Sequence, residues 1–193
     1  MSAQTQNSPP ARPAFGSVLA STMAVATYRD GKWSKAEIRP VGNIELSPGA
    51  HVLHYSSTCF EGFKAYRWAD GSVNVFRMDR HVERMRQSAR QLVLPEPDAA
   101  QLTEMVTAVI DRCRKEVPEA PGALYLRPVL FGTTPNIGAA SHPPDDLMLI
   151  VLASPVWDYF AGGLKPLRIH VEEEATRCAS HLGVVKTGGN YAA

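Results

Sequence analysis

What the sequence lacks narrows it first. No apolar run approaches the roughly 20 residues needed to span a bilayer, so no membrane partner is expected. Charge of one sign is missing too. The formal net charge is +1 over 193 residues, and no long basic run occurs, which removes the electrostatic case for nucleic acid. Cysteine is scarce: Cys59, Cys113 and Cys178 lie far apart and form no C-x-x-C pair. Neither a disulfide framework nor a zinc site follows, and a reducing, cytoplasmic setting fits best. His51 and His54 are three apart in a segment that reads as extended, which argues against shared ligation, and no metal is expected. The opening "MSAQTQNSPPARPAFGS" lacks the apolar centre of a secretion signal. Residues 1–19 read as a disordered tail.

What is present suits a globular core, with 45% apolar and 20% charged residues. "TMAVATYRDGKWSKAEI" alternates around Asp30-Gly31, and "FKAYRWADGSVNVFR" around Asp70-Gly71. Asp-Gly supplies the positive φ angles of a tight hairpin, so an antiparallel sheet is expected early in the chain. Two helices follow. Asp79 is positioned to cap the first, with Val82, Met85, Ala89 and Leu92 on one face. Asp98 is positioned to cap the second, with Gln101 as its capping-box partner, and Leu102, Met105, Val106, Val109 and Cys113 line its buried side. "VPEAPG" breaks that helix and "ALYLRPVLF" resumes as a strand.

The Gly- and Pro-rich stretch from Gly132 to Asp146 marks the best domain boundary. Residues 20–132 are thus expected to form a small α/β domain and 133–146 an interdomain loop. Residues 147–193 would open a second domain, with "LMLIVLA" and "LKPLRIHVEE" as its first strands. Some 45 residues do not make a core able to stand alone, so that second domain is expected to be incomplete.

The chemistry concentrates at the end, in "VVKTGGNYAA". Val184 and Val185 read as the end of a buried strand. Desolvation there disfavours an ammonium, and a neutral lysine is a nucleophile for carbonyls. Gly188 and Gly189 would let a flat ligand approach the main chain. From spacing alone, a strand-end lysine reaching water before an ordinary turn is the favoured reading, since lone lysines before glycines are common.

Read together, four segments change the balance. "KTGGNY" resembles the cofactor-lysine motif of the branched-chain amino acid aminotransferases, the fold-type IV enzymes that depend on pyridoxal 5'-phosphate. "HYSSTCFEGFKAYR" resembles that family's early active-site segment, "FRMDRHVERMRQSA" its phosphate-arginine helix, and "LYLRP" its substrate strand. The matches come in the family's order from about Thr22 onward.

The resemblance implies a two-domain α/β (α+β) fold: a small N-terminal domain of mixed sheet plus helices, then the start of a larger β-rich cofactor-binding domain. It implies that Lys186 joins pyridoxal 5'-phosphate covalently and shuttles the substrate α-proton. Arg84 would bind the cofactor phosphate, its fork matching two phosphate oxygens. Arg80, Arg86 and Arg90 read as solvated helix charges. Tyr191 would hydrogen-bond the cofactor's phenolic oxygen. Tyr125 and Arg127 share one strand face; the tyrosine would hold the substrate α-carboxylate and the arginine the side-chain carboxylate of glutamate. Phe60 would wall the substrate pocket and Gly62 leave room. Tyr55 would line a pocket, reaching in from the neighbouring subunit of a homodimer. Glu61 stays open between substrate contact and pairing with Arg127 or a nearby lysine. His81 reads as helix surface, and Cys59 as a small packed residue near the pocket.

The implied reaction passes the amino group of leucine, isoleucine or valine to 2-oxoglutarate in ping-pong half-reactions. D-amino acid aminotransferases, (R)-amine transaminases and aminodeoxychorismate lyases share the lysine and the phosphate arginine and are the alternative. A non-catalytic fragment of the same fold is the reading from a different class. Family members continue on the order of a hundred residues beyond the lysine, and that part supplies further cofactor and substrate contacts.

Overall fold

A computed structural model describes residues 13–138, 142–158 and 165–192. Within them one antiparallel sheet organises the chain. Strand β1 (Thr22–Arg29) turns through Asp30-Gly31 into β2 (Lys32–Trp33), and β3 (Glu37–Pro40) returns along β1. Asp30 and Gly31 both take positive φ, 50° and 75°, as the Asp-Gly signal predicts. After a short helix α1 (His51–Tyr55) come β4 (Thr58–Phe60), β5 (Phe63–Arg67) and β6 (Val73–Val75). Helices α2 (Met78–Gln91) and α3 (Ala99–Arg112) precede β7 (Ala123–Gly132) and β8 (Leu147–Val156). The strand order is β2-β1-β8-β7-β5-β6, with β3 also on β1 and β4 also on β7.

Alternation along β7 decides what faces what. Leu124, Leu126 and Leu130 point into the core beneath α2 and α3, where Met85, Leu102, Met105, Val106 and Val109 are fully buried. Each such side chain contributes about 1.5–3 kcal/mol. The intervening Tyr125, Arg127 and Val129 point to the other face. There Met23, Val25, Phe131 and Ile150 form a second cluster, covered by Val41, Ile44, Leu46 and Val52.

β4 and β5 both pair with β7 but are interrupted by Glu61 and Gly62, beside Pro128. Proline has no N–H to donate to a ladder; its carbonyl still accepts from Glu61 N at 2.9 Å. This break sends Phe60 to the outer face and Glu61 inward, toward α2.

Several expectations are corrected. β8 does not open a second domain: it lies between β1 and β7 and pairs with β7 over ten registered positions, so the boundary expected at 133–146 falls inside one sheet. Within "LKPLRIHVEE", the described residues 165–173 form no strand, and Leu167, Ile169 and Val171 are 65–84% exposed. Their alternation is strand-like, but a strand needs a partner ladder, and none is paired with it among the described residues. Val184 is exposed, Val185 is buried, and the turn before them is a 3-10 helix (Ser180–Leu182) rather than a strand end.

His51 and His54 sit on a helix, not an extended segment. Asp79 lies in the first turn of α2, whose N-cap is Arg77 in the left-handed region. Asp98 does cap α3, accepting from Gln101 N at 2.8 Å, but the Gln101 side chain donates to the Ser34 carbonyl instead of closing the box. The tail assigned to residues 1–19 falls outside the described residues up to 12. Beyond it, Phe15 packs edge-on against Tyr125 and the Val18 carbonyl accepts from Ser154 Oγ.

Candidate active site

The outer edge of β4 receives the segment that carries Lys186. Phe60 N donates to the Lys186 carbonyl at 3.0 Å, Cys59 bridges Thr187, and Thr187 Oγ1 donates to the Thr58 carbonyl at 2.7 Å. From the helix side, Lys186 N donates to the buried Ser88 Oγ on α2 at 3.1 Å. Asn190 closes the turn, its amide donating to the Leu182 and Val185 carbonyls at 2.8 and 2.9 Å. Small residues let the backbones approach here. A Cβ on Gly188 would sit 3.0 Å from Thr58 Cγ2.

The result is a cavity of about 190 Å³ lined by Arg84, Arg177, Cys178, Lys186, Asn190 and Tyr191, among others. Lys186 Nζ lies 3.1 Å from Tyr191 Oη and 4.5 Å from the centre of the Phe60 ring. The hydrogen bond from Lys186 holds the Tyr191 phenol below the usual tyrosine range, helped by Arg177, whose guanidinium sits 4.7 Å over the ring. Cation neighbours favour phenolate over phenol.

Phe60 connects this cavity to the outer face of the sheet. Arg127 stacks 4.6 Å from the same ring and donates to Tyr125 Oη from Nε and Nη2 at 3.2 and 3.0 Å. Gly62 is required by contact: a Cβ there would collide with the Tyr125 hydroxyl and lie 2.9 Å from Tyr125 Cζ.

Of the residues singled out from sequence, Arg84, Lys186 and Tyr191 therefore line one cavity. Phe60, Tyr125, Arg127 and Gly62 form a contiguous patch against it. Tyr55 stands apart, its ring on His51 and its hydroxyl donating to the Ile137 carbonyl. A larger cleft of about 720 Å³, between the β1–β2 turn, the end of α2 and residues 143–146, contains none of them.

Glu61 and His81 are not where the sequence suggested. Glu61 is fully buried and pairs with neither Arg127 nor a lysine. Its Oε1 accepts from Arg84 Nε at 2.5 Å, and its Oε2 from Arg84 Nη2 at 2.8 Å. His81 is half-buried rather than a free surface residue: Nδ1 lies 2.9 Å from Glu61 Oε2, and the ring stacks 4.6 Å from Phe63. A signal existed, since His81 and Arg84 are i and i+3 on one helix face. Arg86, read as solvated, reaches Glu83 and Glu96. Arg177 and Cys178 were missed; nothing in their spacing marks them. Burial, with Glu61 adding to it, pushes the Cys59 thiol up to about 12, so it stays protonated at neutral pH and is no nucleophile.

Comparison with known proteins identifies a family. A family model described as Amino-transferase class IV matches residues 58–189. The chain is similar to the branched-chain-amino-acid aminotransferase of Mycobacterium tuberculosis (strain H37Rv), 43% identical over 185 residues that cover 94% of this chain and 50% of that protein. It is also similar to the cytosolic branched-chain-amino-acid aminotransferase of Saccharomyces cerevisiae, 38% identical over 92% of this chain and 48% of that one. The chain thus spans about half the length of these curated relatives. Among solved structures, the Escherichia coli branched-chain amino acid aminotransferase superposes with a TM-score of 0.59 at 23% identity, covering 86% of this chain and 52% of that one. The T.th. branched-chain amino acid aminotransferase with pyridoxamine 5'-phosphate gives 0.55 at 24%, with the same two coverages. At such identities the structures speak to fold alone. No helix among the described residues is long and apolar enough to cross a membrane.

Proposed function

The chain belongs to the amino-transferase class IV family, and from that premise we propose that the whole protein is a branched-chain amino acid aminotransferase dependent on pyridoxal 5'-phosphate. The observation that carries the reading is the shared cavity: a guanidinium, an amine and a phenol, from Arg84, Lys186 and Tyr191, face one space. This donor set fits the group, with a fork for a phosphate at one place and a nucleophilic amine for an aldehyde at another. At about 190 Å³ the cavity is smaller than the ~300–1,000 Å³ of ordinary ligand sites, so the described residues furnish one part of its wall. Bound there, the cofactor supplies an electron sink for the substrate α-carbon.

This chain's residues do the remaining work. Arg84 binds the phosphate, and Tyr191 Oη, poised toward phenolate by Lys186 and Arg177, orients the ring through its phenolic oxygen. Lys186 Nζ would hold the cofactor through its aldehyde carbon and, as a free amine, would take the proton of the substrate α-carbon and return it. The Phe60 ring beside Nζ excludes water and gives a branched side chain an apolar wall. Arg127, held 4.6 Å from that ring and steadied by Tyr125, answers the opposite demand, a carboxylate when glutamate or 2-oxoglutarate occupies the same pocket. The homodimer implied by the family resemblance belongs to this proposal, with Tyr55, remote from its own cavity, as the residue offered across the interface.

A substrate panel on the whole protein tests the reading. L-leucine with 2-oxoglutarate is expected to yield glutamate and the branched 2-oxo acid. Turnover of D-alanine or (R)-phenylethylamine in its place would move the assignment to another enzyme of the same fold.

A further inference from the structure

Glu61 is a fully buried carboxylate to which the proposed reaction gives no task. Taking such a group out of water is costly unless it is paired and hydrogen-bonded. Here it accepts from Arg84 Nε at 2.5 Å, Arg84 Nη2 at 2.8 Å and Gly62 N at 3.3 Å, with His81 Nδ1 at 2.9 Å. The pairing is one-sided: Glu61 is 1% exposed at the side chain and Arg84 48%. The carboxylate lies at the bottom, and the guanidinium is the half-exposed member that it grips.

We infer that Glu61, locked by His81, is the positioning residue that aims Arg84 at the cofactor's phosphate. This rests on the proposed cofactor reading and deepens it. A free arginine side chain on a helix samples many rotamers, and a phosphate would have to order it by itself. Glu61 removes that freedom beforehand. It grips the guanidinium by its Nε–Nη2 edge, and the Nη1 edge remains for an anion in the cavity that Arg84 lines with Lys186 and Tyr191. The same stretch of β4 and its break sets both ends of the cavity. Phe60 N holds the Lys186 carbonyl, and the next residue, Glu61, holds Arg84. His81 supplies the lock from one turn earlier on α2, with its ring fixed on Phe63. The distance between the arginine and the lysine is therefore fixed by one short run of chain.

A consequence bears on how Arg84 is tested. Arg84→Ala alone confounds two losses, the phosphate contact and the orphaning of a buried charge. The informative comparison changes Glu61 and reads the phosphate separately. Glu61→Gln keeps the shape and removes the charge. In the whole protein, dissociation constants for pyridoxal 5'-phosphate and for pyridoxal, which lacks the phosphate, are measured for wild type, Glu61→Gln and His81→Gln. Glu61→Gln is expected to weaken the phosphorylated ligand at least about tenfold, the scale of one charge-assisted hydrogen bond, while pyridoxal changes less than about threefold by the same scale. His81→Gln should shift in the same direction by less. A merely structural role would weaken both ligands alike, and that result, or no change for either, overturns the inference. Should Glu61→Gln fail to fold, the ratio of the two constants in His81→Gln decides, with a ratio equal to wild type counting against it. Failure of the underlying reading looks different: the wild-type protein would bind neither ligand with a borohydride-stable attachment at Lys186.

Discussion

The two walls of the cavity are built differently. One is the sheet with α2 and α3. Its strands pair in register, β7 with β8 over ten positions, and Arg84 and Phe60 project from elements whose inner faces are fully buried. The other wall is residues 177–191, reached through a segment where Leu167, Ile169 and Val171 face solvent. Among the described residues it is pinned near its end, by Thr187 and the Lys186 carbonyl on β4, Lys186 N on Ser88 and the Asn190 turn. The lesson is that, among the described residues, Lys186, the amine proposed to be reactive, is not held by a core of its own. It is docked on the edge of a sheet built by other residues, through backbone hydrogen bonds and small side chains, and the first wall dictates where it sits.

That contrast predicts unequal sensitivity. Met105→Ala, deep under the first wall, should cost about 2–5 kcal/mol, read as a lower urea midpoint with unchanged slope; a cost below about 1 kcal/mol would mean that the helices do not carry the core. Gly62→Ala comes next. Its Cβ would run into the Tyr125 hydroxyl and fall 2.9 Å from Cζ, so Tyr125 must move, at about 1–3 kcal/mol. The kinetic mark should be a raised KM for amino acids, whereas wild-type KM would show that Tyr125 does not meet substrate.

The second wall responds to pH instead. The hydrogen bond from Lys186, with Arg177, favours the Tyr191 phenolate, so the ionisation of Tyr191 moves to lower pH, not higher. In the cofactor-free protein, the tyrosinate absorbance lost in Tyr191→Phe should titrate below the ordinary tyrosine midpoint of about 10, and Lys186→Met should return it upward. A midpoint at or above the ordinary value would separate the two side chains. Smallest of all, Ile169→Ser on the exposed segment should stay within about 0.5 kcal/mol. A loss of about 2 kcal/mol would show this segment to be packed rather than exposed.

The same division governs what the sequence reveals. α3 was legible, apolar face and Asp98 cap together, because helix signals are local. So was the Asp30-Gly31 hairpin. The membership of β8 was not, because its partners on β1 lie more than a hundred positions earlier and no local pattern records them. "LKPLRIHVEE" shows the converse, with strand alternation present and no ladder to join. At the site, Arg84, Lys186 and Tyr191 came from motif resemblance, and the structure brings all three to one cavity. Glu61 stays open in the sequence because its partner is fixed by the break beside Pro128, a feature of pairing rather than of composition. Arg177 was invisible for a like reason: it meets Tyr191 only after the chain has turned back through Ser180–Leu182.

The most direct test asks whether the two walls share one small molecule. The whole protein is incubated with pyridoxal 5'-phosphate, treated with borohydride, digested and mapped by mass. A single phosphopyridoxyl adduct is expected, on Lys186, that inorganic phosphate suppresses by competing at Arg84. An adduct on a different lysine, or one at Lys186 indifferent to phosphate, would contradict that expectation.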